Sequence, residues 1–241
     1  MEKTSYSACA TKHEEFIECS ALNTENYPAE YAERVSRILA DIKNSDFKER
    51  VKQTLGSFVE AGSDGKLAQS SPYRLVVLQE AIPKGKVLVA RPRLQTAKEN
   101  DPNFMSGFYV DFGLNLVASK GKNYKINQIP AREIARDLER AGIKLDCAKL
   151  IPYNVLACQV NSKSPSGLVF KLSDKGKDIA EKLVLNTDDF EWDYKPSNDG
   201  LFRAFIDSYD YWFPNDEDLA DSTGLGRVVV ESAKGTAKSF R

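Results

Sequence analysis

The chain has 241 residues, 41% of them hydrophobic and 29% charged, with 34 basic against 35 acidic side chains. That composition is globular rather than disordered, and a formal net charge of −1 excludes a general attraction to nucleic acid or to an anionic membrane. No apolar stretch approaches the roughly 20 residues that cross a bilayer, and the start, MEKTSYSACATKHEEF, lacks a secretory apolar run, so the expected location is cytoplasmic, with no membrane partner.

Residues 1–26 mix small and polar side chains without a period and read as a loosely held arm. From Pro28, a residue suited to a first helical position, Tyr31, Val35, Ile38, Leu39 and Ile42 recur on one helix face. Ser45 is the expected cap of a second helix carrying Phe47, Val51, Leu55, Phe58 and Val59, closed by Gly62. Together they predict a helical hairpin, each apolar stripe of which must be buried. The run GSDGKLAQSSP, 62–72, reads as a linker.

Beyond it, YRLVVLQEAI (73–82), the turn at Pro83 to Gly85, and KVLVARPRLQ (86–95) predict a β-hairpin, with Pro92 placing the second arm at an edge. A strand follows at 108–119, then a short extended piece around Tyr124 and Ile126. A helix opened by Pro130 carries Ile134 and Leu138 inward and stops at Gly142. Strands at 151–160 and 167–173 flank a tight turn, and Ser173 or Asp174 caps a helix with Ile179, Ala180 and Leu183 on one side. Short turns joining strand pairs imply antiparallel pairing. The expected class is therefore α+β, mainly an antiparallel sheet core, divided as arm and helical hairpin (1–71), core (72–186) and an acidic aromatic C-terminal segment packed on the core (187–241).

Catalytic chemistry is poorly provided for. His13 is the single histidine, so a multi-histidine zinc site within one chain is excluded and any Ser-His-Asp or Cys-His device would have to recruit that ring. Cys9, Cys19, Cys147 and Cys158 lack a Cys-x-x-Cys spacing and read as free thiols. No catalytic residue, bound metal or cofactor is expected.

Two short stretches carry resemblances. GLVFKLSDKGKDIAEKL, 167–183, resembles the wing-to-helix passage of winged-helix regulators, although Pro152 interrupts the place of a recognition helix. From Ala118 to Ile151 there are eight basic and four acidic residues. With Lys163, Lys171 and Lys175 they form the expected basic face for nucleic acid, whose contacts would be salt-dependent. YVDFGLNLVAS, 109–119, is similar to the first strand of RNase H-like and RuvC-like nucleases. That likeness implies Asp111 as a ligand of a divalent metal, completed by Asp218 or Asp221. The strand that should supply a further acid ends instead in Gln159, Asn161 and Ser162.

The strongest local signal lies from Thr187 to Ser222, where eleven acidic residues face only Lys195 and Arg203 as cations, alongside nine aromatic residues that include both tryptophans. So many carboxylates would be idle in an enzyme site but suit a surface that meets a basic partner. The competing reading is that Trp192, Phe202, Phe205, Tyr209 and Trp212 fill the core with the acids outward, since Phe202, Phe205 and Tyr209 have the spacing of a core-facing helix. The expected function is a non-enzymatic binding or assembly protein, docking a basic protein or a second copy of itself through Tyr209, Tyr211, Trp212, Asp216, Glu217 and Asp218. The alternative is a metal-dependent nuclease of RNase H-like type.

Overall fold

A computed structural model describes residues 27–56, 59–61, 66–68, 70–118, 128–196, 198–216, 218–221 and 225–232. The expected N-terminal arm, His13, Cys9, Cys19, Phe58, Gly62, Tyr124, Ile126 and Glu217 lie outside these residues. The fold is α+β with antiparallel sheets, as the sequence predicts. No helix of the described residues is long and apolar enough to cross a membrane.

Helices α1 (Pro28–Ala40) and α2 (Ser45–Leu55) form the expected hairpin, with Pro28 in the first turn of α1. The cap of α2 is Asn44 rather than Ser45: its side-chain oxygen accepts the Phe47 amide at 2.8 Å. The helix also ends earlier than its apolar stripe suggests, at Leu55. Gly56 then turns at φ +52, and Val59 belongs to β1 (Val59–Ala61), paired with β2 (Lys66–Ala68).

The predicted β-hairpin of 73–95 is not formed. Its first arm is helix α3 (Pro72–Ala81), buried from Pro72 through Leu78. A helix enclosed on every side shows no 3.6-residue alternation, and a continuous apolar run of that kind reads equally as a buried strand. Tyr73 stacks on Phe170 at 4.5 Å, and α1 and α2 close the opposite side. The second arm gives only β3 (Lys86–Leu88), which pairs with β12 (Val230–Ser232), before α4 (Arg91–Asn100) begins with Pro92 in its first turn. There proline starts a helix instead of marking a strand edge.

β4 (Tyr109–Val117) is the spine of the main sheet. β9 (Gly200–Ile206) lies on one side of it and β10 (Trp212–Asp216) beyond β9. The other edge is shared by β5 (Lys149–Ile151), continued by β8 (Leu185–Asn186), and by the parallel β11 (Gly226–Arg227). The stretch expected to be a helix at Phe202–Tyr209 is thus mostly strand. Both faces of β9 are covered, so its alternation is invisible in the sequence. The register of β4 against β9 slips between Asp111 and Gly113, and a side chain on Gly113 would meet the Ile151 carbonyl at 2.7 Å.

α5 (Gln128–Arg140) lies on a hairpin of β6 (Leu156–Val160) and β7 (Leu168–Leu172), and α6 (Asp174–Leu183) follows, capped by Ser173 through the Gly176 amide at 2.8 Å. One apolar cluster joins α1, α2, α3, α5 and this hairpin. A second, built on Val110, Phe112, Leu150 and Ile206, fills the space between the main sheet and α4.

Candidate interaction surface

The turn between β9 and β10 is built by one carboxylate. Asp207 Oδ1 accepts the amides of Tyr209 at 2.9 Å and Tyr211 at 2.8 Å, and Asp210 sits at φ +69. This geometry lifts Tyr209 to the tip, where it is 80% exposed, and leaves Tyr211 47% exposed. The incoming chain at Asp193 covers the outer edge of β10: its Oδ2 accepts the Trp212 amide at 2.7 Å, and its own amide donates to the Trp212 carbonyl at 3.2 Å. That pairing brings Tyr194, 50% exposed, beside Tyr211.

A row of rings results on one face of β10, β9 and β4. Tyr194 stacks on Phe213 at 4.5 Å, Phe213 on Phe205 at 5.4 Å, and Phe205 meets the edge of Tyr109 at 6.1 Å. Tyr211 stands almost perpendicular to both Tyr194 and Phe213, making an open aromatic corner. Asp193 and Asp210, the chain neighbours of Tyr194 and Tyr211, are exposed, with Asp207 half-buried; Lys98 neutralises Asp210 at 2.6 Å, and Lys195 is exposed on the other side of Tyr194.

Trp212 does not belong to this surface. It alternates to the other face of β10, where its ring packs on Phe112 at 5.6 Å. There Phe190, Trp192 and Trp212 enclose the Arg91 guanidinium, with ring centroids 4.3, 4.3 and 4.7 Å from its central carbon. Arg91 is 3% exposed; its Nη2 donates to the Glu191 carbonyl, and burial lowers its pKa to about 10. The sequence reading missed this cage because Arg91 lies about a hundred residues from its rings.

The remaining docking candidates are split off. Asp216 closes β10 at the end away from Tyr211, roughly 16 Å of extended chain distant. Asp218 lies beyond it on a loop, where its Oδ1 accepts the amides of Ala220 and Asp221, both at 3.0 Å.

The three candidate lysines sit in different settings. Lys163 is exposed at the tip of the β6–β7 hairpin, whereas Lys171, near its base, donates to Glu133 of α5 at 2.5 Å. Lys175 is exposed in the first turn of α6. The tip is not a free wing. Arg50 Nη2 donates to the Ser162 carbonyl at 3.2 Å and Thr54 to the Ser166 carbonyl at 2.8 Å, docking it on α2.

Asp111 is held by a guanidinium. Arg203 Nε donates to its Oδ1 at 2.8 Å and Nη2 to its Oδ2 at 2.7 Å, while the Ser70 hydroxyl reaches Oδ2 at 3.1 Å. Burial alone would lower the Arg203 pKa, but the Asp111 charge and hydrogen bonds raise it overall. The Asp221 backbone carbonyl also meets this group, 3.3 Å from Arg203 Nη1. Among the described residues no group of three or more His, Cys, Asp or Glu side chains is arranged to hold a metal ion.

A cleft of about 750 Å³ opens between α2, the hairpin tip, the first turn of α5 and the loop of Asp218. It brings Lys163 and Asp218, assigned to different surfaces by the sequence reading, to one site. No family model, curated protein or solved structure matches the chain.

Proposed function

We propose that the chain is a binding or assembly protein, without a catalytic role of its own, that docks a basic segment of a partner protein at the β9–β10 turn. The observation carrying this reading is the open corner of Tyr194 and Tyr211, backed by stacked rings, with Tyr209 exposed at the tip of the adjoining turn and carboxylates next to each ring in the chain. Exposed ring faces attract ammonium and guanidinium groups, and bordering carboxylates add direction and speed of encounter. The Arg91 cage on the opposite face of the same strand is the chain's own instance of this chemistry. Each bordering carboxylate used in a turn or ion pair keeps further acceptor capacity, since an ionised carboxylate offers about four lone-pair sites.

The test is titration of the full chain with a lysine- and arginine-rich peptide and with an acidic control of equal length. Binding of the basic peptide, weakened by salt and by Tyr211→Ala, supports the reading. Tyr211→Ala is expected to cost about 2 kcal/mol if this ring anchors the contact. A complex indifferent to both, or equal binding of the acidic peptide, overturns it. Sedimentation of the chain alone distinguishes self-association through the same edge.

A further inference from the structure

The cleft between α2 and the hairpin tip is separate from the tyrosine corner and has its own charge pattern. On one wall, Arg50 and Lys163 form no ion pair with any described carboxylate. Arg50 spends one Nη2 hydrogen on the Ser162 carbonyl and lies over the Phe47 ring at 5.1 Å, while its buried Nε has no hydrogen-bond partner. Lys163 is exposed, its side chain directed by no partner. The buried Arg50 Nε is a donor still to be satisfied, and Lys163 adds a second, solvated positive charge to the same cleft, so an anionic acceptor suits this wall.

The floor is fixed and polar. Ser164, 1% exposed, is 3.0 Å from the Ser166 hydroxyl, which donates to the Tyr73 hydroxyl at 3.0 Å. Burial chiefly pushes the Tyr73 phenol upward, with smaller contributions from Cys158 and Asp218, so it stays a neutral hydroxyl. Across the cleft, Asp218 is set by the two amides it caps, and Ile129 and Leu219 supply apolar surface.

We propose that this cleft binds a phosphomonoester of a hydroxylated small molecule, such as a sugar phosphate or a nucleoside monophosphate, with the phosphate at Arg50 and Lys163. A phosphomonoester carries a charge of about −1.5 to −2 at neutral pH, matching the two cations. Asp218 repels a second anionic group and accepts hydroxyl hydrogens, which selects against polyphosphates and for a polyol end. The cavity volume lies within the range of small-molecule sites, roughly 300 to 1,000 Å³.

Calorimetric titration of the full chain with ribose 5-phosphate, adenosine 5′-monophosphate, ribose, adenosine and inorganic phosphate tests this. Saturable binding of at least one monoester is expected, tighter than inorganic phosphate and absent for the unphosphorylated pair. The two monoester arms distinguish a sugar phosphate from a nucleotide. Lys163→Gln, on an exposed tip, is expected to weaken that binding by about tenfold, and Asp218→Asn to narrow the preference for monoester over phosphate. Arg50→Gln should act like Lys163→Gln, with circular dichroism confirming that the variant folds. No monoester binding at millimolar concentration, inorganic phosphate bound as tightly as both monoesters, or affinity unchanged by Lys163→Gln overturns the proposal.

Discussion

Two buried arginines show how a single charged side chain is accommodated by different means. Arg203 is neutralised by Asp111 in a bidentate pair, whereas Arg91 is stabilised by three ring faces and one carbonyl. The first arrangement fails sharply when one partner is removed, because a buried charge is left alone. Asp111→Asn is therefore expected to cost about 3 to 5 kcal/mol in urea unfolding, and adding Arg203→Met should recover part of that loss. A loss under 1 kcal/mol for Asp111→Asn would mean that the pair is not a structural element. For Arg91 the surrounding volume dominates. Arg91→Met, which refills the cage without charge, should be milder than Arg91→Ala, for which a loss of about 2 to 4 kcal/mol is expected from the cavity and the lost ring contacts.

Among the elements, α5 and the β6–β7 hairpin are joined by groups that titrate. Glu133 accepts from Lys171, and this hydrogen bond holds its carboxyl below the ordinary value of 4.5 despite opposing desolvation. A group with a depressed folded pKa stabilises above its unfolded pKa, and that contribution is lost as pH falls through the lower folded value. Urea midpoints should thus fall from pH 6 toward pH 3 more steeply in the parent than in Glu133→Gln, which cannot titrate there. Equal slopes would remove the pair from the account of acid sensitivity. The α1–α2 hairpin, α5 and α6 were legible in the sequence because each shows solvent on one side and core on the other, and the β6–β7 hairpin because a tight Ser/Pro/Gly turn separates its two apolar runs. α3 and β9 were not, since burial on all sides erases the period that separates helix from strand. At Pro92 the sequence carries a real signal with two meanings, and only the pairing of β3 with β12 decides between them.

For the whole molecule, near-zero net charge means that any electrostatic contact must be local, and the fold decides where locality falls. Tyr209 and Tyr211 could be grouped from the sequence because neighbours in the chain share one turn. Trp212, adjacent in sequence, lies on the opposite face of β10, where strand alternation packs it on Phe112. Arg50, Lys163 and Asp218 come together across more than a hundred residues, and no linear pattern marks that meeting. The two proposed sites lie beyond opposite ends of β10, so roughly 16 Å or more of extended chain separates Tyr211 from the Asp218 loop. Perturbations that far apart, with no shared partner, should act independently within about 0.5 kcal/mol. Tyr211→Ala is accordingly expected to weaken the basic peptide and leave monoester binding unchanged, and Lys163→Gln to do the reverse. Titrating each ligand in the presence of the other checks the same point: a shift beyond about twofold in either affinity would mean that the strand couples the two ends rather than merely separating them.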